Sequence, residues 1–79
     1  MKIKVYSTPH CPYCTRVKAY LIQKNLKFED IDVSVDPGRV REMIDKSRQM
    51  GVPVIEINEK IITGFDKDAI DEALESSAK

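Results

Sequence analysis

Cys11-Pro12-Tyr13-Cys14 sets two thiols three residues apart, at the point where an alternating apolar pattern gives way to a helical one. Thiols at that spacing can pass between a dithiol and an internal disulfide. A thiol in the first turn of a helix faces unpaired backbone N–H groups and the positive end of the macrodipole, and both favour the thiolate. Only the thiolate attacks a disulfide. The second thiol lies one turn along, which brings the two Cα atoms to roughly 5 to 6 Å, within reach of a bond. Cys11 is the candidate nucleophile, and Arg16 or Lys18 would add positive potential if their side chains turned toward it. Cys14 is the candidate resolving thiol, on the face that carries Val17 and Leu21, where burial would keep it protonated until needed. A plain core cysteine is its alternative reading.

Zinc is the other use of such a pair, and it takes four ligands. The chain offers two cysteines and one histidine, His10, which adjoins Cys11 in a turn and is poorly placed to share an ion with both thiols. No metal site is expected, and His10 reads as a solvated turn residue. A disulfide between Cys11 and Cys14 would enclose two residues and constrain the unfolded chain little, so the thiols serve chemistry rather than the fold.

With 79 residues the chain is expected to form one domain over 1–79. Its 13 basic and 13 acidic residues cancel, which removes any general attraction to nucleic acid or an anionic membrane. Met1 to Ser7 lacks the apolar run of a secretory signal, and nothing approaches the roughly 18 apolar residues of a membrane span. A cytoplasmic protein is expected. There is no glycine-rich phosphate loop.

The elements that must hold the thiols follow from periodicity. Lys2 to Ser7 alternates Ile3 and Val5 with lysines and reads as a strand, broken by Thr8-Pro9-His10. From Pro12 to about Asn25, Cys14, Val17, Leu21 and Ile22 recur at helical spacing, with Arg16, Lys18, Gln23 and Lys24 outward and Pro12 tolerated in the first turn. Lys27 to Val33 reads as a second strand, parallel to the first because a helix connects them. Asp36-Pro37-Gly38 opens a short helix that runs to about Arg48, with Val40, Met43 and Ile44 inward. After Gly51-Val52-Pro53, Val54 to Ile57 and Ile61 to Thr63 form a hairpin around Asn58-Glu59-Lys60. Asp66 to about Ser76 closes the chain as a helix with Ala69, Ile70, Ala73 and Leu74 on one face. Met43 and Met50 read as core or groove lining.

This βαβαββα order, with CPYC opening the first helix, Val52-Pro53 before the hairpin and Thr63-Gly64-Phe65-Asp66 before the last helix, resembles the glutaredoxins over nearly the whole length. The resemblance implies an α/β, thioredoxin-like fold, with a four-stranded mixed sheet in the order 2-1-3-4 flanked by three helices. It implies a glutathione-dependent thiol–disulfide oxidoreductase acting in electron transport and cell redox homeostasis. Its partners would be glutathione as co-substrate and disulfide-containing or glutathionylated proteins, and the chain would act as a monomer. In such proteins the first cysteine attacks a mixed disulfide and becomes glutathionylated, and a second glutathione restores it.

The same resemblance implies a cis Val52–Pro53 peptide, with the Val52 main chain pairing with the cysteine of glutathione as a short antiparallel strand. Gly64, Phe65 and Asp66 match the turn that holds its γ-glutamyl end: helix-start N–H groups for the carboxylate, the Asp66 carboxylate for the ammonium, and Lys67 assisting. Asp66 equally reads as a helix N-cap. Tyr13 would line the groove or fill the turn. The chain departs from the pattern at Thr8, where many glutaredoxins carry a lysine for the glycyl carboxylate, and at Thr63 and Phe65, where glycines and a small residue are frequent; Gln49, beside Arg48, stands where an arginine or glutamine does a related task. The Gly64-Phe65 pair resembles redoxins that accept electrons from thioredoxin reductase and serve ribonucleotide reductase, which is the alternative within redox chemistry. Some bacterial redoxins of this kind carry selenocysteine at the first position of the pair. From a different class, an iron–sulfur carrier with a glutathione-ligated cluster is the non-catalytic alternative.

Overall fold

The computed structural model describes residues 2–77, with the side chain of Ser77 excepted. Seven elements follow in the order β1 (Ile3–Ser7), α1 (Pro12–Gln23), β2 (Glu29–Asp32), α2 (Pro37–Ser47), β3 (Val54–Ile57), β4 (Lys60–Thr63) and α3 (Lys67–Ser77). The four strands form one sheet in the order β2-β1-β3-β4. β1 runs parallel to β2 and antiparallel to β3, and β3 and β4 form an antiparallel hairpin. The result is the mixed sheet with three helices of the thioredoxin-like fold.

Alternation along the strands builds a core on each face of the sheet. Ile3 and Val5 of β1 join Ile55, Ile57 and Ile62 under α1 and α3, where Val17, Leu21, Ile70 and Ala73 are buried against them. Tyr6 points the other way and meets Ile31, Val33, Val54 and the Met43 of α2. β1, like β3, contributes to both layers, so its C-terminal end, where the chain leaves for α1, is fixed from both sides.

The starts of α2 and α3 are capped as the sequence indicates, by Asp36 and Asp66. Asp36 accepts from the N–H groups of Gly38 and Arg39 at 3.1 and 3.3 Å, and Pro37 sits in the first turn, where no intrahelical bond is lost. α1 ends at Gln23, where Asn25 takes up a left-handed conformation (φ 61°) that a helix cannot continue through. β2 is shorter than the sequence indicates: Lys27 and Phe28 fall outside it because pairing with β1 runs only from Lys4–Glu29 to Ser7–Asp32. The hairpin turn is also tighter, since Ile57 pairs directly with Lys60 and leaves Asn58, at φ 55°, and Glu59 as the turn. Ile22, expected on the apolar face of α1, is 66% exposed, and Met50 is 76% exposed while Met43 is buried.

Candidate active site

The loop from β1 delivers Cys11 to the N-cap of α1 in an extended conformation (φ −104°, ψ 109°). Its sulfur stands where a Ser or Asp oxygen caps other helices and accepts the Cys14 N–H at 3.2 Å. An N–H aimed at sulfur from a helix start steadies negative charge there. On its other side the Cys11 thiol donates to the Val52 carbonyl at 3.8 Å. Both cysteines are free. Cys11 is partly exposed, whereas Cys14 is fully buried. Burial pushes the Cys14 thiol up to about 11, and its hydrogen bond with Cys11 acts in the same direction; the backbone hydrogen bond of Thr8 and the charge of Lys18 oppose them. Cys14 is therefore a neutral thiol at physiological pH.

Val52 and Pro53 approach from the second side. Their peptide bond is cis, and Pro53 is buried. The Pro53 carbonyl accepts the Gly64 N–H at 2.9 Å, which ties the turn before α3 to the segment facing Cys11. Gly64 has φ 74°, a left-handed value that suits a residue without Cβ. Contacts thus bring Cys11, Cys14, Val52, Pro53 and Gly64 together, with Phe65 and Asp66 following directly in the chain. Phe65 packs edge-on against Tyr20, ring centroids 6.1 Å apart, as part of the α1/α3 side of the core. Asp66 caps α3 by accepting the Ala69 N–H at 3.1 Å.

The remaining candidates lie further out. Lys67 turns along its own helix: its ammonium sits 3.8 Å from Asp71 and 5.7 Å over the Tyr20 ring, and the Tyr20 hydroxyl donates to the same carboxylate. Gln49 is exposed after α2, its amide 3.5 Å from the Gly51 carbonyl. Tyr13 is 57% exposed, with the Arg16 guanidinium 5.5 Å over its ring. Lys18 does not face outward as its place on the helix suggested, but reaches Ser7 and Asp30. Sequence reasoning passed over Ser7 and Asp30 altogether; the usable signal was Lys18 four residues after Cys14, on the same face of α1.

Among the described residues no group of three or more His, Cys, Asp or Glu side chains is arranged to hold a metal ion, and no helix is long and apolar enough to cross a membrane.

A family model for glutaredoxin matches residues 3–62. The chain belongs to the glutaredoxin family. It is similar to an uncharacterised glutaredoxin-like 8.6 kDa protein in a rubredoxin operon of Clostridium pasteurianum, 49% identical over 92% of this chain and 97% of that one. Glutaredoxin 3 of Escherichia coli K12 is 34% identical, covering 81% of this chain and 77% of its own. Among solved structures, the T8A mutant of the thioredoxin-like protein BC3987 superposes with a TM-score of 0.88 at 28% identity, over 94% of this chain and 95% of that one. Membership makes this glutaredoxin a thiol–disulfide redoxin and accounts for a CPYC pair seated at a helix start against a cis proline.

Proposed function

We propose that this glutaredoxin is a cytoplasmic, monomeric, single-domain enzyme that reduces protein disulfides and glutathione mixed disulfides at the expense of glutathione. The supporting observation is the seat of the Cys11 sulfur between the Cys14 N–H at 3.2 Å and the Val52 carbonyl at 3.8 Å. Cys11 attacks the disulfide, a sulfur–sulfur bond forms to one half of the substrate, and the other half leaves as a thiolate that takes up a proton. A glutathione thiolate then attacks the Cys11 mixed disulfide, or Cys14 does so and closes the internal bond.

The groove fits a peptide-like thiol at its centre. Val52 presents main chain beside the reacting sulfur, a recognition mode indifferent to side-chain identity. Gly64, Phe65 and Asp66 form the end that would take a γ-glutamyl group, because the Asp66 carboxylate stands at the start of a helix whose N–H groups attract the opposite charge. Tyr13, Gln49 and Lys67 would complete the groove.

The test is turnover of a small glutathione mixed disulfide with glutathione as reductant. Activity should vanish with Cys11→Ser and persist with Cys14→Ser, while reduction of intramolecular protein disulfides should be lost in both. A second reading is favoured by one observation: Lys67 is engaged by Asp71 and Tyr20, and Thr8 brings no charge, so two cations that could receive carboxylates are missing from the groove. In that reading a flavoprotein reductase supplies the electrons and ribonucleotide reductase receives them. Disulfide reduction with thioredoxin reductase, and none with glutathione, would select it.

A further inference from the structure

Ser7 is 2% exposed and, among the described residues, is the buried polar side chain of the core. Its hydroxyl donates to Asp30 Oδ1 at 2.9 Å and accepts from Lys18 Nζ at 3.2 Å. Lys18 Nζ closes the triangle on Asp30 Oδ2 at 3.1 Å. The three residues come from β1, α1 and β2. An ordinary surface ion pair contributes little and needs no buried third partner. Here the partner is buried, and the ammonium is held in place by groups from two strands, Ser7 of β1 and Asp30 of β2.

The cluster lines a cleft of about 210 Å³ together with Thr8, Pro9 and Asp32. Neither cysteine lines this cleft, and two of its lining residues connect it to the dithiol. Lys18 lies one helical turn beyond Cys14, and Thr8, which lines the cleft, hydrogen-bonds Cys14 through its backbone. Cys14 has no exposed surface, so a proton leaving it needs a path and the charge that replaces it needs a counterpart.

We propose that Lys18, fixed by Ser7 and Asp30, is the positioning residue of the resolving step: its ammonium offsets the charge that gathers on Cys14, and the cleft conducts the released proton to water. The proposal rests on the reading of Cys14 as the resolving thiol. In that step the Cys14 sulfur attacks the disulfide between Cys11 and its partner. The Cys11–Cys14 bond forms and the Cys11–partner bond breaks. The partner leaves with the electron pair as a thiolate, while the Cys14 proton passes into the cleft. Cys14 is oxidised and the partner sulfur reduced, so no further reagent is needed.

The charged and titratable groups around Cys14 are few. α1 and its N-cap supply Lys18 and Cys11. β2 supplies Asp30, bound to Lys18, and Asp32, which lines the cleft while engaged by the N–H and hydroxyl of Ser34. β1 and the turn after it bring Ser7 and Thr8, with His10 exposed beyond them, and Val52-Pro53 has no ionisable side chain.

An aromatic disulfide whose thiolate is coloured reports the two events separately. Reduced protein releases one equivalent on attack by Cys11 and a second on resolution by Cys14. Lys18→Met should slow the second phase relative to the first by about three- to tenfold near neutral pH and move its pH midpoint up by about one unit; the range reflects the lower thiolate fraction, partly offset by greater nucleophilicity. Lys18→Arg should restore both, and Ser7→Ala should shift the midpoint in the same direction by less. A second phase whose pH midpoint is the same in Lys18→Met as in the wild type overturns the proposal, whatever its rate, because a merely structural role changes rate alone. Cys11→Ser and Cys14→Ser in the same assay separate the two readings. If the first phase survives Cys11→Ser, or the second survives Cys14→Ser, the site reading falls and the proposal with it.

Discussion

Tyr6 carries as much of the molecule's electrostatics as the thiols do. Its ring is fully buried, its hydroxyl donates to Glu42, and Lys46 Nζ reaches that hydroxyl at 3.4 Å and Glu56 at 2.9 Å. Burial, with help from Glu42, pushes the phenol from 10.0 up to about 12. The folded state therefore holds the phenol proton more tightly than the unfolded chain does. That contribution is fully present below pH 10 and is lost as pH rises toward 12, on the order of 2 to 3 kcal/mol. Lys46, whose pKa is raised first of all by Glu56, acts in the same direction. Urea midpoints measured from pH 9 to 11.5 should fall more steeply for the wild type than for Tyr6→Phe, which should also lose about 1 to 2 kcal/mol at neutral pH. Little of this was legible in the chain. Tyr6, Glu42, Lys46 and Glu56 are spread over well over half the sequence, and only the folded structure brings them together. Ile22 and Lys18 mislead for a related reason: a helix read alone shows which residues share a stripe, but not how wide a stripe its neighbours cover.

Elements were the most legible level. Alternation gave β1, helical spacing gave α1, and the helix between two strands required them to be parallel. Errors gathered at ends, where pairing partners decide: β2 stops at Asp32, and β4 starts one residue early because Lys60 finds Ile57. At the start of α3 the cap and the ligand roles of Asp66 overlap, and two substitutions separate them. Asp66→Ala should cost about 1 kcal/mol of stability through the lost hydrogen bond to Ala69, read as a lower thermal midpoint. Asp66→Asn keeps an accepting oxygen and should leave the midpoint nearly unchanged while raising the KM for glutathione several-fold; an unchanged KM would leave Asp66 a cap alone. The turn just before it tolerates space but not shape. A Cβ on Gly64 would meet nothing within 4 Å, yet its φ is 74°. Gly64→Ala should therefore destabilise by about 1 kcal/mol, from backbone conformation alone. The thiol pair and the Val-Pro segment of the candidate site were legible because motif and element boundary coincide there. The tethering of Lys67 was not, since it depends in part on Tyr20, far back in the sequence on α1.

At the scale of the whole molecule the two faces of the sheet are held by different means. Under α1 and α3 the core is apolar, and the polar links there are fewer: Lys18 to Ser7 and Asp30, and Tyr20 and Lys24 to Asp71. α2 buries Met43, with Val40 packed beside it, and is further fastened by polar links: Glu42 to Tyr6, Lys46 to Glu56, and Arg39 to Glu29 at 3.5 Å. Apolar contact is nearly indifferent to salt and acid, whereas exposed ion pairs are screened by salt and broken by protonation. Glu42 is held below its ordinary value first by Tyr6 and then by Arg39, so its contribution is present above the usual carboxylate range and fades as pH falls through it. The two faces should then part company in hydrogen exchange. Raising salt or lowering pH toward 4 should speed exchange in α2 well before α1, a difference that a uniformly loosening molecule would not show. The chain leaving α2 runs through Arg48, Gln49 and Met50 to Val52, while Cys11 caps α1, whose Val17 and Leu21 lie in the apolar core. The two halves of the groove thus answer to different solvents: the sulfur keeps its seat as ionic strength climbs, and the wall opposite it becomes the part that breathes.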